Sequence, residues 1–415
     1  MKKLLAFSFY DVGNSVFPMI VLGALTSSYF VNQVADNPQT GTALWQLTIG
    51  IAGILIALLM PYIGTLADSV KNGRLTLLRL FTVICIGSIA LFWFVLPSSN
   101  YIILALVIFL IGSMSYEASN GLYNASLKSC STSNLTFGSG MGFGSGYLGG
   151  VIILVILLQT FILPEQNLLN IPTEGQAHLR FVHIILALWF LIFSIPLLFL
   201  CKFNNTNSES KTKVATKIKD LIWNKGLTNT GRFLFARMLY ADGLVIVTTG
   251  VGIFGTSVIG LSLKEILLAA ILANISGAIG CYLYGIFFKN DKKIIMYNLL
   301  IIILVVIGIS ISQTPLQFIS LLIIGTFFSG PLQSSSRVVM ANLTPDNTQG
   351  FAFGMFTLSG KITAFVGPIL AGLLTFLISQ RVGFGFSIVL LLSGERSDFK
   401  LLSIFIVYLY HQKET

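Results

Sequence analysis

Apolar runs long enough to cross a bilayer recur along the whole chain, separated by short polar stretches. Stretches such as Tyr101–Ser113 and Ile294–Ile309 are apolar on every face. An amphipathic surface helix would show one apolar stripe instead. The pattern predicts helices over Leu4–Phe30, Leu44–Leu66, Thr76–Leu96, Tyr101–Ser119, Phe137–Leu163 and Phe181–Cys201. A polar stretch, Lys202 to Arg232, follows. A second set covers Phe233–Val258, Glu265–Phe288, Ile294–Ser312, Leu316–Ser335 and Phe351–Ile378. The last run, from Val382, is irregular: Phe384–Leu392 is apolar, Gly394-Glu395-Arg396-Ser397-Asp398-Phe399-Lys400 interrupts it, and Leu401–Tyr410 resumes. Neither piece covers about 30 Å of hydrocarbon at about 1.5 Å per residue, so a frameshifted or degraded C-terminus is one reading. Barrel strands of about ten residues with alternating polarity are not what these runs look like.

Composition agrees. Of 415 residues, 55% are hydrophobic and 10% charged, against about 25% charged in soluble domains. A soluble globular enzyme is excluded, and lipid must cover most of the surface. The expectation is an all-α integral membrane protein of two six-helix bundles, residues 1–201 and 233–415, joined by a basic linker at 202–232.

Lysines and arginines orient it. With the N-terminus in the cytoplasm, seventeen of them lie on the cytoplasmic side, among them Lys2, Lys3, Lys71, Arg74, Arg79, Lys128 and seven from Lys202 to Arg232. Three lie outside: Arg180, Lys264 and Arg381. Cytoplasmic loops carry the positive excess, so both termini are expected there, in a bacterial inner membrane. The same bias accounts for the net charge of +10 without a nucleic-acid partner, since no folded basic face is available. Asp11 and Asn14 interrupt the first apolar run, which therefore reads as an uncleaved span. In the linker, Val214, Ile218, Leu221 and Ile222 recur at helical spacing among lysines, suiting either an amphipathic helix on the anionic leaflet or a solvated tether.

The halves echo each other. An offset of 216 aligns Asn124–Gly144 with Met340–Gly360 without gaps, matching Ala125, Leu127, Thr132, Phe137, Gly138 and Gly144 to Ala341, Leu343, Thr348, Phe353, Gly354 and Gly360. Such internal repeats are common in transporters. Gly138, Gly140, Gly142, Gly144, Gly146, Gly149 and Gly150 crowd the fifth run. No preceding strand or G-K-[ST] context makes them a phosphate loop, so close helix packing is the better reading. Cys85, Cys130, Cys201 and Cys281 are scattered, as are His178, His183 and His411, and neither a cofactor nor a metal site is expected.

Six plus six spans around a basic linker resemble the major facilitator superfamily. Gly64-Thr65-Leu66-Ala67-Asp68 followed by Gly73-Arg74 is similar to its loop signature between spans two and three, with two extra residues before Gly73. A narrower set comprises Phe9-Tyr10-Asp11-x-x-Asn14-Ser15, Tyr147-Leu148-Gly149-Gly150, Ala236-Arg237-Met238-Leu239-Tyr240-Ala241-Asp242-Gly243, Gly330-Pro331-Leu332-Gln333-Ser334-Ser335-Ser336-Arg337, Leu358-Ser359-Gly360-Lys361 and Gly367-Pro368. Together these resemble the vacuolar-effluxer-like branch, whose eukaryotic members are autophagy-related amino-acid effluxers. The likeness implies a major-facilitator-like fold and a substrate of amino-acid type.

Ionisable groups in hydrocarbon are costly and are functional candidates by default. Asp11 lies about 10 Å into the first run, and Asp242 and Lys361 about 15 Å into runs seven and eleven, near the depth where transporters hold substrate and ions. Asn14 shares a face with Asp11. These four are the expected substrate or coupling-ion residues, with Lys361 binding a carboxylate or pairing with Asp242. Glu117, Asn120 and Asn124 form one stripe, and Gln333 and Arg337 an i, i+4 pair. With Arg237 and the loop residues Gly64, Asp68 and Arg74, they form an expected gate between the halves, pairing Asp11 with Arg237 and Glu117 with Arg337. The blander reading is satisfied packing groups or side chains that snorkel. The function expected is a secondary transporter of a small solute, proton-coupled because no Walker A sequence exists. The alternatives are a membrane enzyme built on Glu117 and Arg337, and a non-transporting or degraded relative.

Overall fold

A computed structural model of the protein describes residues 1–23, 25–131, 134–162, 164, 167–201, 203 and 213–398. Among the described residues, eleven helical stretches are long and apolar enough to cross a membrane: Lys2–Val34, Pro38–Ser69, Gly73–Phe94, Ser99–Ala125, Leu135–Ile162, Glu174–Phe199, Asn229–Ser257, Lys264–Phe287, Asp291–Ile311, Pro315–Leu343 and Asp346–Leu377. A twelfth helix, Gln380–Asp398, packs along the seventh. We number these spans 1 to 12. The chain is all-α, with the spans arranged as two six-helix bundles.

Helix starts are set by local chemistry. Asn37, Asn134 and Thr228 each accept a backbone amide two or three residues into the helix they cap. Ser262 with Glu265, and Thr314 with Gln317, form reciprocal capping boxes. Each cap satisfies amides that a helix leaves without partners. Large apolar side chains then face outward: Leu47, Ile51, Ile54, Leu58 and Tyr62 form one exposed ridge on span 2, the surface that lipid covers.

Spans 2 and 11 pack together, as do spans 5 and 8, so each half contributes to two seams. Small residues set the spacing. Gly64 lies against the carbonyl of Gly350, with no room for a Cβ, and Gly140 lies against the carbonyl of Cys281 and the Cα of Gly285. The glycine-rich fifth run is thus a packing surface.

Two spans are not continuous. Span 1 is built of helix Lys2–Asn14, a wide turn at Phe17–Leu22, helix Leu25–Tyr29 and a second wide turn at Phe30–Val34. Span 11 is helix Gln349–Lys361, a turn at 362–365, and helix Val366–Leu377. Pro368 cannot donate an amide and crowds the preceding turn, which places that break.

Two expectations change. Gly394 to Asp398 do not interrupt the last run: they continue helix Gln380–Asp398, 19 residues long, or about 28 Å at about 1.5 Å each. Gly394 fits closely against Tyr240, and Glu395 is buried. The resumed run Leu401–Tyr410 lies outside the described residues. In the linker, the helix is Val214–Ile222, but Val214, Ile218, Leu221 and Ile222 pack on the protein's own core. That apolar stripe meets protein in preference to the leaflet.

Candidate functional site

The loops 70–72 and 344–348, the short helix Leu127–Cys130, the linker helix Val214–Ile222 and the start of span 1 share one face of the molecule, here termed the linker face. Polar contacts between the halves begin there. Lys128 Nζ is 2.8 Å from Asp346 Oδ1 and donates to Thr344 O at 2.9 Å. Asp68 is buried and receives the amides of Gly350 and Phe351, at 3.0 and 2.8 Å, at the start of the first helix of span 11. A carboxylate at a helix N-terminus meets its unpaired amides and partial positive charge. Arg74 Nε lies 2.6 Å from the same carboxylate, and its NH2 group reaches Asp346 O at 2.6 Å. The two extra residues in that loop are absorbed by a tight turn with Asn72 in the left-handed region, φ 57°.

One helical turn deeper, Arg337 is 1% exposed and crosses between the halves. Its Nε donates to Ser139 Oγ at 2.9 Å, NH1 to Asn124 Oδ1 at 3.0 Å and NH2 to Ser139 O at 2.8 Å. Asp11 Oδ2 stands 3.5 Å from NH1 and accepts from Tyr123 OH at 2.7 Å. Phe143, Phe7 and Tyr123 present their rings to the guanidinium, with Phe143 nearest at 4.3 Å. A planar group with five donors can use all these acceptors at once.

Near mid-depth, Lys361 Nζ meets Glu117 Oε1 at 2.7 Å. Both line a cavity of about 40 Å³ with Phe17, Ile49, Ser113 and Tyr116. That is room for a water or two, so the bundles are closed around this point. Among the described residues, no hydrogen bond or ion pair joins the halves nearer the opposite face. The molecule is therefore locked on its linker face.

The expected pairs are exchanged. Asp11 meets Arg337, not Arg237, and Glu117 meets Lys361, not Arg337. Arg237 stays within its own half, donating to Phe356 O at 2.7 Å and Ser359 Oγ at 3.1 Å and lying 3.5 Å from the Phe356 ring centre. Asp242 does not pair with Lys361, and its Oδ1 has no hydrogen-bond partner. The helical bearing of each residue decides this. Depth alone matched Asp11 to Arg237 and Asp242 to Lys361, but Lys361 reaches across the seam while Asp242 faces the second helix of span 11. Asn14 Nδ2 reaches Asn120 Oδ1 at 3.4 Å. Gln333 is half-buried with no side-chain hydrogen bond among the described residues. The Glu117–Arg337 pairing that an enzyme would have used is not assembled.

Asp291, at the start of span 9, escaped notice in the sequence. It accepts from Thr136 Oγ1 of the other half at 3.0 Å and from Tyr284 OH. It echoes Asp68: Asp68 lies in the last turn of span 2 and Asp291 opens span 9, each flanking the loop after the second span of its half and each against the start of a span of the other half. Asp291 opens an apolar run within a lysine-rich loop, which disguised it as a solvated charge. Tyr123 and Ser139 were likewise hidden, because hydroxyls raise no flag in a hydropathy reading.

A family model described as vacuole effluxer Atg22 like matches residues 129–396. The uncharacterized MFS-type transporter YxiO of Bacillus subtilis is 23% identical over 395 residues, covering 92% of this chain and 90% of that protein. Autophagy-related protein 22-2 of Neosartorya fischeri is 25% identical over 295 residues, covering 61% of this chain and 47% of that protein, so the chain matches about half of that fungal relative's length. Among solved structures, the human organic anion transporter MFSD10 superposes with a TM-score of 0.71 at 14% identity, covering 96% of this chain and 98% of that one. The proton:xylose symporter XylE superposes with a TM-score of 0.73 at 11% identity, covering 95% of this chain and 94% of that one. At these identities the likeness to solved structures concerns the fold.

Proposed function

The chain belongs to the vacuole effluxer Atg22-like family of major-facilitator transporters, and we propose that it exports a small zwitterionic solute of the amino-acid class across a bacterial inner membrane, driven by protons. The observation that carries this is the Glu117–Lys361 pair on the wall of a cavity lined by spans 1, 2 and 4, into which Lys361 reaches from the other half. An anion and a cation that satisfy each other when the site is empty can exchange partners with the ammonium and carboxylate of an amino acid. Phe17, Ile49 and Tyr116 offer apolar surface to its side chain. The small volume fits a closed state that must open to admit a solute.

The bodies that move are residues 1–201 and 233–415, tethered by 202–232. Opening toward the linker face requires breaking the contacts of Asp68, Arg74 and Lys128 together with the Arg337 network. Opening toward the other face leaves them intact. The charge bias makes the linker face cytoplasmic, so the locked state described above is closed to the cytoplasm. Asp11, Glu117 and Asp242 are carboxylates within the membrane depth that can carry a proton, as is the buried Glu395 of span 12.

Purified protein in proteoliposomes, loaded in turn with each labelled proteinogenic amino acid and given an imposed pH gradient, tests the proposal. Flux of one or a few of them that collapses with the gradient supports it. No flux of any, with the protein correctly inserted, overturns it. Comparing metabolites inside and outside cells with and without expression extends the search to other zwitterions.

A further inference from the structure

Span 7 holds span 11 on both sides of its break. On the linker-face side, Arg237 bonds to Phe356 O and Ser359 Oγ, near the carbonyl end of helix Gln349–Lys361. Gly360 beside it leaves no room for a Cβ against the guanidinium. A cation suits the carbonyl end of a helix. On the far side, Asp242, five residues along, faces the amide end of helix Val366–Leu377.

The amides at that end can be accounted for. Val366 N bonds to Thr363 O and Ile369 N to Phe365 O, and Pro368 has no amide hydrogen. Gly367 N–H remains, and it lies beside the Asp242 carboxylate. A Cβ on Gly367 would stand 3.2 Å from Asp242 Cγ, so the approach is close. Asp242 is 5% exposed, and its second oxygen, Oδ1, has no partner. A carboxylate this buried with one idle oxygen and no cation is an expensive arrangement, and binding one positive charge would relieve it.

We propose that Asp242 is a proton-binding site that clasps the outer half of span 11, and that protonation releases helix Val366–Leu377 from span 7. The proton goes to the idle Oδ1, the carboxylate loses its charge, and its hold on the Gly367 amide weakens. The charged groups on the elements around it are committed elsewhere: Arg237 to span 11, Lys361 to Glu117, Arg337 to the Asp11 network and Arg381 of span 12 to Ser310 O. Tyr240 of its own helix bonds to Ser336 Oγ, and Glu395 of span 12 is buried beside Gly394, which contacts Tyr240. No ion pair joins any of them to Asp242 among the described residues. Through the break, release of the outer helix reaches Lys361 and the cavity, which would link the proton to the solute site. The inference deepens the transport reading by naming where its coupling proton sits.

The test needs no substrate. Spin labels at Ile253→Cys on span 7 and Phe376→Cys on span 11, both exposed, report their separation in the full chain in lipid nanodiscs. The four native cysteines are buried. Lowering the pH from about 8 to about 5, a range that titrates a carboxylate held in an apolar site, should lengthen the parent's distance distribution. Asp242→Asn should show the long distribution at every pH. Asp242→Glu should keep the response, and Gly367→Ala should weaken it, so a poorly folding Asn variant still leaves a decisive pair. Sodium titrated at fixed pH should leave the distances unchanged. A pH response that persists in Asp242→Asn, its absence from the parent, or a sodium response that Asp242→Asn abolishes would each overturn the proposal. Failure of flux with the clasp response intact would count against the transport reading and leave the clasp standing.

Discussion

Lys361 lies 2.7 Å from Glu117 across the boundary between the two bundles, and it is the last residue of the first helix of a broken span. A group at a helix end moves whenever either half of that span moves. The pair is therefore sensitive to the geometry of the break and, under the transport proposal, to the solute as well. Lys361 is 37% exposed at its side chain, so the pair adds about 1 kcal/mol or less to stability. Its weight falls on transport. Glu117→Gln and Lys361→Gln should each abolish flux with little change in melting temperature. The exchanged double variant Glu117→Lys with Lys361→Glu should likewise keep the parent's melting temperature, because the attraction survives the swap. Thermal unfolding in detergent and vesicle flux together check this.

Asp68→Asn removes the charge that holds the start of span 11 and strands Arg74. Each hydrogen bond to a charged group contributes about 1.5–3 kcal/mol. A loss of about 2 kcal/mol from the state locked on the linker face would shift its population about thirtyfold. Spin labels on Val70→Cys and Asn347→Cys, both exposed, should then show a widened linker face, and an unchanged distribution would count against the lock.

Arg337→Lys should cost about 3 kcal/mol. A lysine keeps the charge but cannot reach Ser139, Asn124 and Asp11 from one plane. The loss should appear as a lower melting temperature. A melting temperature equal to the parent's would show that the network is not what holds the halves at that depth.

Asp291→Asn should loosen the same face more gently, by about 1 kcal/mol, since Asp291 is only half-buried and bonds to neutral hydroxyls. The double variant with Asp68→Asn should widen the linker face by the sum of the two effects if the clasps act independently. Label distances in the three variants decide it.

The linker and both termini are expected in the cytoplasm. An impermeant thiol reagent should fail to label Ser210→Cys in intact cells and should label it after permeabilisation. Labelling from outside would reverse the orientation.

The spans were legible because hydropathy is a property of runs, and a run survives errors at its ends. Their ends were less legible for a physical reason. The apolar signal of runs four and ten stops at Ser119 and Ser335, where Asn120, Asn124, Ser336 and Arg337 begin. The helices nevertheless continue to Ala125 and Leu343. The polar side chains of those last turns find partners far along the chain: Asn120 meets Asn14, Ser336 meets Tyr240, and Asn124 and Arg337 meet each other across the halves. The same holds for Gly394, which looks like an interruption until Tyr240 is placed against it.

Hydropathy and charge alone established a many-span helical membrane protein with a charge-biased face and a repeat, and they picked out most of the charges that matter, Asp291 and Glu395 excepted, since cost in hydrocarbon depends on residue type and depth. Which charge meets which was decided by tertiary structure. Depth along a helix is linear in residue number, but partner choice depends on the helix's rotation about its axis and on where a span breaks. Rotation sends Arg237 back into its own half and Arg337 across to Asp11. The break before Gly367-Pro368 separates Lys361, which meets Glu117, from Gly367, which packs against Asp242.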